Sequence, residues 1–194
     1  MKKLNDLFDL VKQSDVTLIG YTFQNERIKD ELISNLNYID VGKIDSSFSL
    51  RSFLRDLKLN SILETGEVVK NPDYILLDIG NIPLKNNNAL YGRQQFIKTF
   101  VEDLGSQLYT DCSGFPGKPQ FKIILTTSLY RSGMNSDGNE IKNFSGGSSP
   151  LYVSDLVFTI SDNKIKVIKN RFGRDNDEIL YNTEQQIVEF WLYL

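Results

Sequence analysis

Lys169 and Arg171 stand two positions apart in Lys164-Ile165-Lys166-Val167-Ile168-Lys169-Asn170-Arg171, a segment patterned as a strand. Strand side chains alternate with period two, so the spacing puts both cations on one face. Two fixed cations offset the charge of a transferring phosphoryl group. The same pair can equally be edge charges that discourage strand-to-strand aggregation. Asp78 closes the apolar run Tyr74-Ile75-Leu76-Leu77-Asp78, and Gly20 closes Asp15-Val16-Thr17-Leu18-Ile19-Gly20. Tyr91 and Tyr130 lie beside Arg93 and Arg131, as residues that stack single-stranded bases do, but nine tyrosines also produce such neighbours by chance. Asp175, Asp177 and Glu178 read as a solvated acidic loop. Asp137-Gly138-Asn139-Glu140 lacks the ligand spacing of a calcium loop.

What is missing narrows the chemistry further. With no histidine, an imidazole base, a histidine metal ligand and a histidine triad are excluded. The single cysteine, Cys112, excludes an internal disulfide and a cysteine-cluster metal site, and has no neighbour that would tune a thiolate. The 194 residues carry 40% hydrophobic and 24% charged side chains with 11% aromatics, the composition of one medium globular domain. A formal charge of −3 supplies no global field to recruit nucleic acid. The start, Met1-Lys2-Lys3-Leu4-Asn5-Asp6-Leu7, turns charged too soon for a signal peptide, and no apolar run approaches a bilayer span. A cytoplasmic protein without a membrane partner is expected.

The elements that must position these residues alternate. Leu4, Leu7, Phe8 and Val11 predict a helix over 3–13, and Ile28, Leu32, Ile33 and Leu36 predict another over 26–36. Strands are expected at Asp15–Gly20, Tyr38–Val41, Tyr74–Asp78 and Phe121–Thr127. A helix capped by Ser49 and a longer one through Phe96, Ile97, Phe100, Val101 and Leu104 lie between them. Cys112 to Pro119 is a loop of breakers, and 131–149 is a flexible loop rich in Gly, Ser and Asn. Asp155–Ile160 and the segment from Lys164 to Arg171 flank a hairpin-length connection, and Ile187 to Leu194 is a closing apolar segment. The pattern predicts a single α/β domain over 1–194, with a largely parallel sheet flanked by helices and an antiparallel C-terminal hairpin.

The last third resembles the closing part of RecA/DnaB-type ATPase cores. It runs Ser145-Gly146-Gly147-Ser148-Ser149-Pro150, then Ser154-Asp155-Leu156-Val157-Phe158, then Lys169-Asn170-Arg171-Phe172-Gly173. The resemblance implies that Lys169 and Arg171 reach across a subunit boundary toward a neighbour's γ-phosphate. It makes Ile75–Asp78 similar to a Walker B strand, with Asp78 orienting magnesium through water. Gly92-Arg93-Gln94-Gln95 resembles the segment that follows that strand. Thr127 takes the place of a nucleotide-sensing residue, and 131–149 that of a loop contacting single-stranded DNA through Arg131 and Lys142.

One motif departs from this family. A P-loop reads G-x-x-x-x-G-K-[ST], so that backbone N–H groups wrap the phosphates and the lysine neutralises them. The equivalent turn is Gly20-Tyr21-Thr22-Phe23-Gln24-Asn25-Glu26-Arg27, in which only Gly20 survives and Glu26 replaces the lysine. Gly114-Phe115-Pro116-Gly117-Lys118-Pro119 has the wrong spacing to substitute. The water-activating glutamate is also missing near Tyr38–Val41, and neither Asp40 nor Asp45 is singled out as its stand-in. The expectation is a degenerate, non-hydrolysing RecA-like accessory protein of DNA replication or recombination with no cofactor. It would assemble with itself or with a RecA-like or helicase partner, single-stranded DNA being a possible ligand. The alternatives are an unconventional NTPase that binds Mg-ATP through Arg27, Gly20 and Asp78, and a scaffold or inhibitor that binds neither DNA nor nucleotide.

Overall fold

The computed structural model describes residues 4–22, 24, 26–34, 36–43, 52–53, 73–79, 95, 97–100, 102–104, 106, 121–129, 144, 149–161, 164–173 and 178–180. In chain order these form α1 (Leu4–Gln13), β1 (Val16–Tyr21), α2 (Glu26–Ser34), β2 (Tyr38–Lys43), β3 (Tyr74–Asp78), β4 (Lys122–Ser128), α3 (Ser149–Val153), β5 (Leu156–Ser161), β6 (Lys164–Asn170) and β7 (Glu178–Leu180). Helical residues also occur at 52–53 and within 95–106. No helix among the described residues is long and apolar enough to cross a membrane.

The strands form one sheet in the order β2-β3-β4-β1-β5-β6-β7. The pairs β2–β3, β3–β4, β4–β1 and β1–β5 are parallel. The pairs β5–β6 and β6–β7 are antiparallel. This is the α/β arrangement the sequence predicts, a largely parallel sheet with an antiparallel hairpin extension. Val16 to Tyr21 are buried throughout, and the apolar runs of β3 and β4 are buried but for their ends. A strand covered on both faces needs such continuous apolar character.

Helices cover both faces. Leu7 and Val11 of α1 and Ile28, Leu32 and Ile33 of α2 pack with Ile19, Ile124 and Phe158 on one face. Ile97, Phe100 and Leu104 and the α3 residue Leu151 pack with Leu18, Ile75, Leu125 and Val157 on the other. The connection from β1 to β2 runs one way along the sheet, and that from β4 to β5 runs the other way. Crossovers of a single hand therefore put α2 and α3 on opposite faces. Each fully buried Leu or Ile in these layers contributes about 1.5–3 kcal/mol.

Three local differences from the sequence reading have physical causes. α3 falls where Ser and Pro read as loop, yet Pro150 lies in its first turn, where proline needs no N–H and its fixed φ suits a helix. Its last turn closes when the Ser154 hydroxyl donates to the Pro150 carbonyl at 2.7 Å. Arg171 begins the turn after β6 rather than ending the strand. β7 adds a strand that its three residues were too few to signal. Cys112 to Pro119, Ile187 to Leu194 and most of 131–149 lie outside the described residues.

Candidate functional site

Gly20, Thr127 and Asp78 come to the carboxyl edge of the parallel strands. Gly20 pairs with Thr127 across β1 and β4, and Asp78 pairs with Thr126 across β3 and β4. β1 and β4 send their connections in opposite directions, and open α/β sheets take ligands at such a switch point, outside the carboxyl ends. Asp40 is exposed and pairs with Leu76, while Lys43 holds the position opposite Asp78. Alternation along the strands divides the edge between the two faces. Asp78 follows Leu77 and so lies on the α2 side with Tyr21, whereas Gly20 faces the α3 side.

On the α2 side, Tyr21 is only 6% exposed. The Lys29 ammonium stands 4.6 Å from the centre of its ring. Lys29 also pairs with Asp30 at 2.9 Å and with Glu26 at 3.9 Å. Burial, followed by the negative charges of Asp78, Glu26 and Asp30, pushes the Tyr21 phenol up to about 12. Glu26 occupies the first turn of α2, where the helix dipole favours an anion and the chain itself supplies one. Arg27 is turned along the helix to Glu31 at 3.0 Å and is 85% exposed. This side of the edge therefore presents carboxylates, and both cations of the first helical turns are matched to carboxylates of their own helix.

On the other side, Gly20 is covered. A Cβ at this position would lie 2.6 Å from Cε1 of Phe144 and 2.9 Å from Cδ2 of Leu129. Phe144 is buried and meets Leu129 in an isolated antiparallel bridge. The Leu129 N–H donates to the Tyr21 carbonyl at 2.9 Å, which ties the end of β4 to the end of β1. Sequence reasoning passed over Phe144 because it stands alone in a polar segment. The available signal was that isolation: a single large aromatic among Gly, Ser and Asn.

Lys169 and Arg171 lie at the opposite, amino edge, where Val157 pairs with Lys169 and Leu156 with Asn170. Lys169 Nζ donates to the Leu151 carbonyl of α3 at 2.7 Å. Arg171 Nη1 is 2.5 Å from Oδ1 of Asp155, whose side chain is 4% exposed. The other carboxylate oxygen accepts from the Asp15 and Val16 N–H groups, each at 3.1 Å. One buried carboxylate thus holds the start of β1 and the end of β6 together. Asp155 is absent from the candidate residues read from sequence, although the Ser154-Asp155 pair drew attention to its segment. The Lys122 ammonium, donating to the Lys12 carbonyl, ties α1 to β4 at the same edge.

Arg131, Lys142, Tyr91, Arg93, Tyr130, Asp45, Asp175 and Asp177 lie outside the described residues. Among the described residues no three Cys, Asp or Glu side chains converge as a metal site. No family model matches the chain, and no curated protein matches it. Among solved structures, a protein from Pyrococcus horikoshii OT3, described as a structural study, aligns with 93% of this chain and 100% of its own at 12% identity, with a TM-score of 0.38.

Proposed function

We propose that the chain is a degenerate RecA-like accessory protein of DNA replication or recombination, one that assembles with itself or acts on a partner ATPase and does not hydrolyse nucleotide. The observation that carries the reading is a phosphate-site frame with its charge inverted. β1, a turn and α2 follow one another as in a P-loop unit, and Thr127 and Asp78 stand at the same sheet edge. The first turn of α2 nevertheless offers Glu26 where a cation belongs. β4, the strand the resemblance assigns to nucleotide sensing, lies between β1 and β3. The place in DNA metabolism rests on the sequence resemblance.

The residues present do not fit a magnesium-bound triphosphate. Glu26 and Asp30 repel it, Arg27 and Lys29 are held by carboxylates of α2, and Phe144 with Leu129 fills the space beside Gly20. Lys169 and Arg171 are engaged within the chain at the amino edge, a use that accounts for their presence without a neighbour's phosphate. A charge of −3 favours a protein partner over nucleic acid.

Two assays test the reading together. The chain alone should show no magnesium-dependent ATP turnover, and in sedimentation it should self-associate or co-sediment with a RecA-like ATPase whose DNA-stimulated rate it changes. Turnover lost in Asp78→Ala would replace the reading with the NTPase alternative. A monomer that leaves the partner's rate untouched would remove the accessory role. If single-stranded DNA is bound, that binding should be weak and fade with salt, with a slope of about −0.7 per phosphate contacted.

A further inference from the structure

We infer that the switch-point crevice between β1 and β4 is a seat for a small aromatic ring, kept filled by the chain's own Phe144, and that Gly20 is glycine because of that ring. The inference rests on the strand order and on three side-chain positions, not on the RecA-like reading. The crevice lies where open α/β sheets take ligands, because β1 and β4 lead to helices on opposite faces. Phe144 Cε1 and Cζ stand 2.6 and 3.2 Å from the point where a Cβ of residue 20 would be. Any side chain there would have to move both the ring and Leu129, whose Cδ2 is 2.9 Å away. The ring is 2% exposed and packs in the layer that contains Leu18, Ile79, Leu125 and Leu151. Thr127 and Thr159, the cross-strand partners of Gly20, are buried on the same face, so the seat joins apolar walls to two hydroxyls and has room for a ring of about benzyl or indole size but not for a nucleoside. The surviving glycine of the motif is thereby explained by packing rather than by phosphate.

The test is ring rescue of a truncated variant, with indole and adenosine as probes. Phe144→Ala should melt about 10 °C below the native chain, as loss of a buried aromatic in a chain this long does. Indole at ten times its Kd should restore about 3 °C, while adenosine does nothing and the native chain responds to neither. Adding Gly20→Ala to Phe144→Ala should abolish the indole effect, since the new methyl enters the vacated seat. If Phe144→Ala does not fold, Phe144→Leu takes its place. There Gly20→Ala should lower the melting temperature by less than half its effect in the native background. The inference is overturned if folded Phe144→Ala ignores indole, if adenosine rescues it instead, or if Gly20→Ala costs the same in both backgrounds.

Discussion

Removal of the buried Asp155 carboxylate should destabilise the chain strongly, because it unties three donors at once. Asp155 accepts from the Asp15 and Val16 N–H groups at 3.1 Å and from Arg171 at 2.5 Å. Asp155→Ala leaves the buried Val16 amide without that acceptor, at about 1–3 kcal/mol. The ion pair, with Arg171 55% exposed, adds only about 1 kcal/mol after solvent screening. Together with the weaker Asp15 bond, the expected loss is about 3–4 kcal/mol, within the range for breaking a buried pair from one side. Arg171→Ala should cost less, about 1–2 kcal/mol, because the carboxylate keeps its two backbone donors. Urea unfolding of both variants and of the double variant measures the coupling, expected at about 1 kcal/mol. A loss below about 1 kcal/mol for Asp155→Ala, or zero coupling with Arg171→Ala, would refute the clasp. Unchanged stability of Arg171→Ala together with a slowed partner ATPase would instead return Arg171 to the trans role implied by the resemblance.

Gly20→Ala should cost about 1–3 kcal/mol of stability by overpacking against Phe144 and Leu129, read as a lower urea midpoint. Arg27→Ala, which loses only an exposed pair with Glu31, should change stability by less than about 0.5 kcal/mol in the same assay. Tyr21 supplies a pH dependence. Its phenol is raised from 10.0 to about 12, so the folded chain holds a proton that the unfolded chain has released. That contribution is fully present below pH 10 and is lost as pH rises through about 12, in total about 2–3 kcal/mol. Unfolding from pH 9 to 12 should show the loss in the native chain, and Tyr21→Phe should lack that share of it.

The parts of the fold legible in sequence were those written in side-chain period and continuous apolarity. Val16 to Ile19, Ile75 to Leu77 and Ile123 to Leu125 announce strands because both faces are covered. The spacing of Leu7 and Val11, and of Ile28 and Leu32, announces α1 and α2. The gathering of Gly20, Thr127 and Asp78 at one edge follows from parallel strands, which end on the same side. The rest depends on contacts between distant positions. Nothing local tells that Asp155 serves the N–H groups of Asp15 and Val16, 140 and 139 positions away. Phe144 seated against Gly20 is equally non-local. The period-two argument for Lys169 and Arg171 stops at Asn170, where β6 ends and Arg171 turns to Asp155.

Under the proposed reading, the carboxylates around Tyr21 and the Phe144 ring beside Gly20 keep a triphosphate off the carboxyl edge of the sheet. The direct measurement is calorimetric titration of the full chain with Mg-ATP at low salt, repeated with Asp78→Ala. The prediction is no saturable heat for either protein up to millimolar nucleotide, because Asp78, Glu26 and Asp30 put negative charge around Tyr21 and Arg27 and Lys29 are held by their own helix. Saturable, magnesium-dependent binding to the native chain that Asp78→Ala abolishes would contradict it.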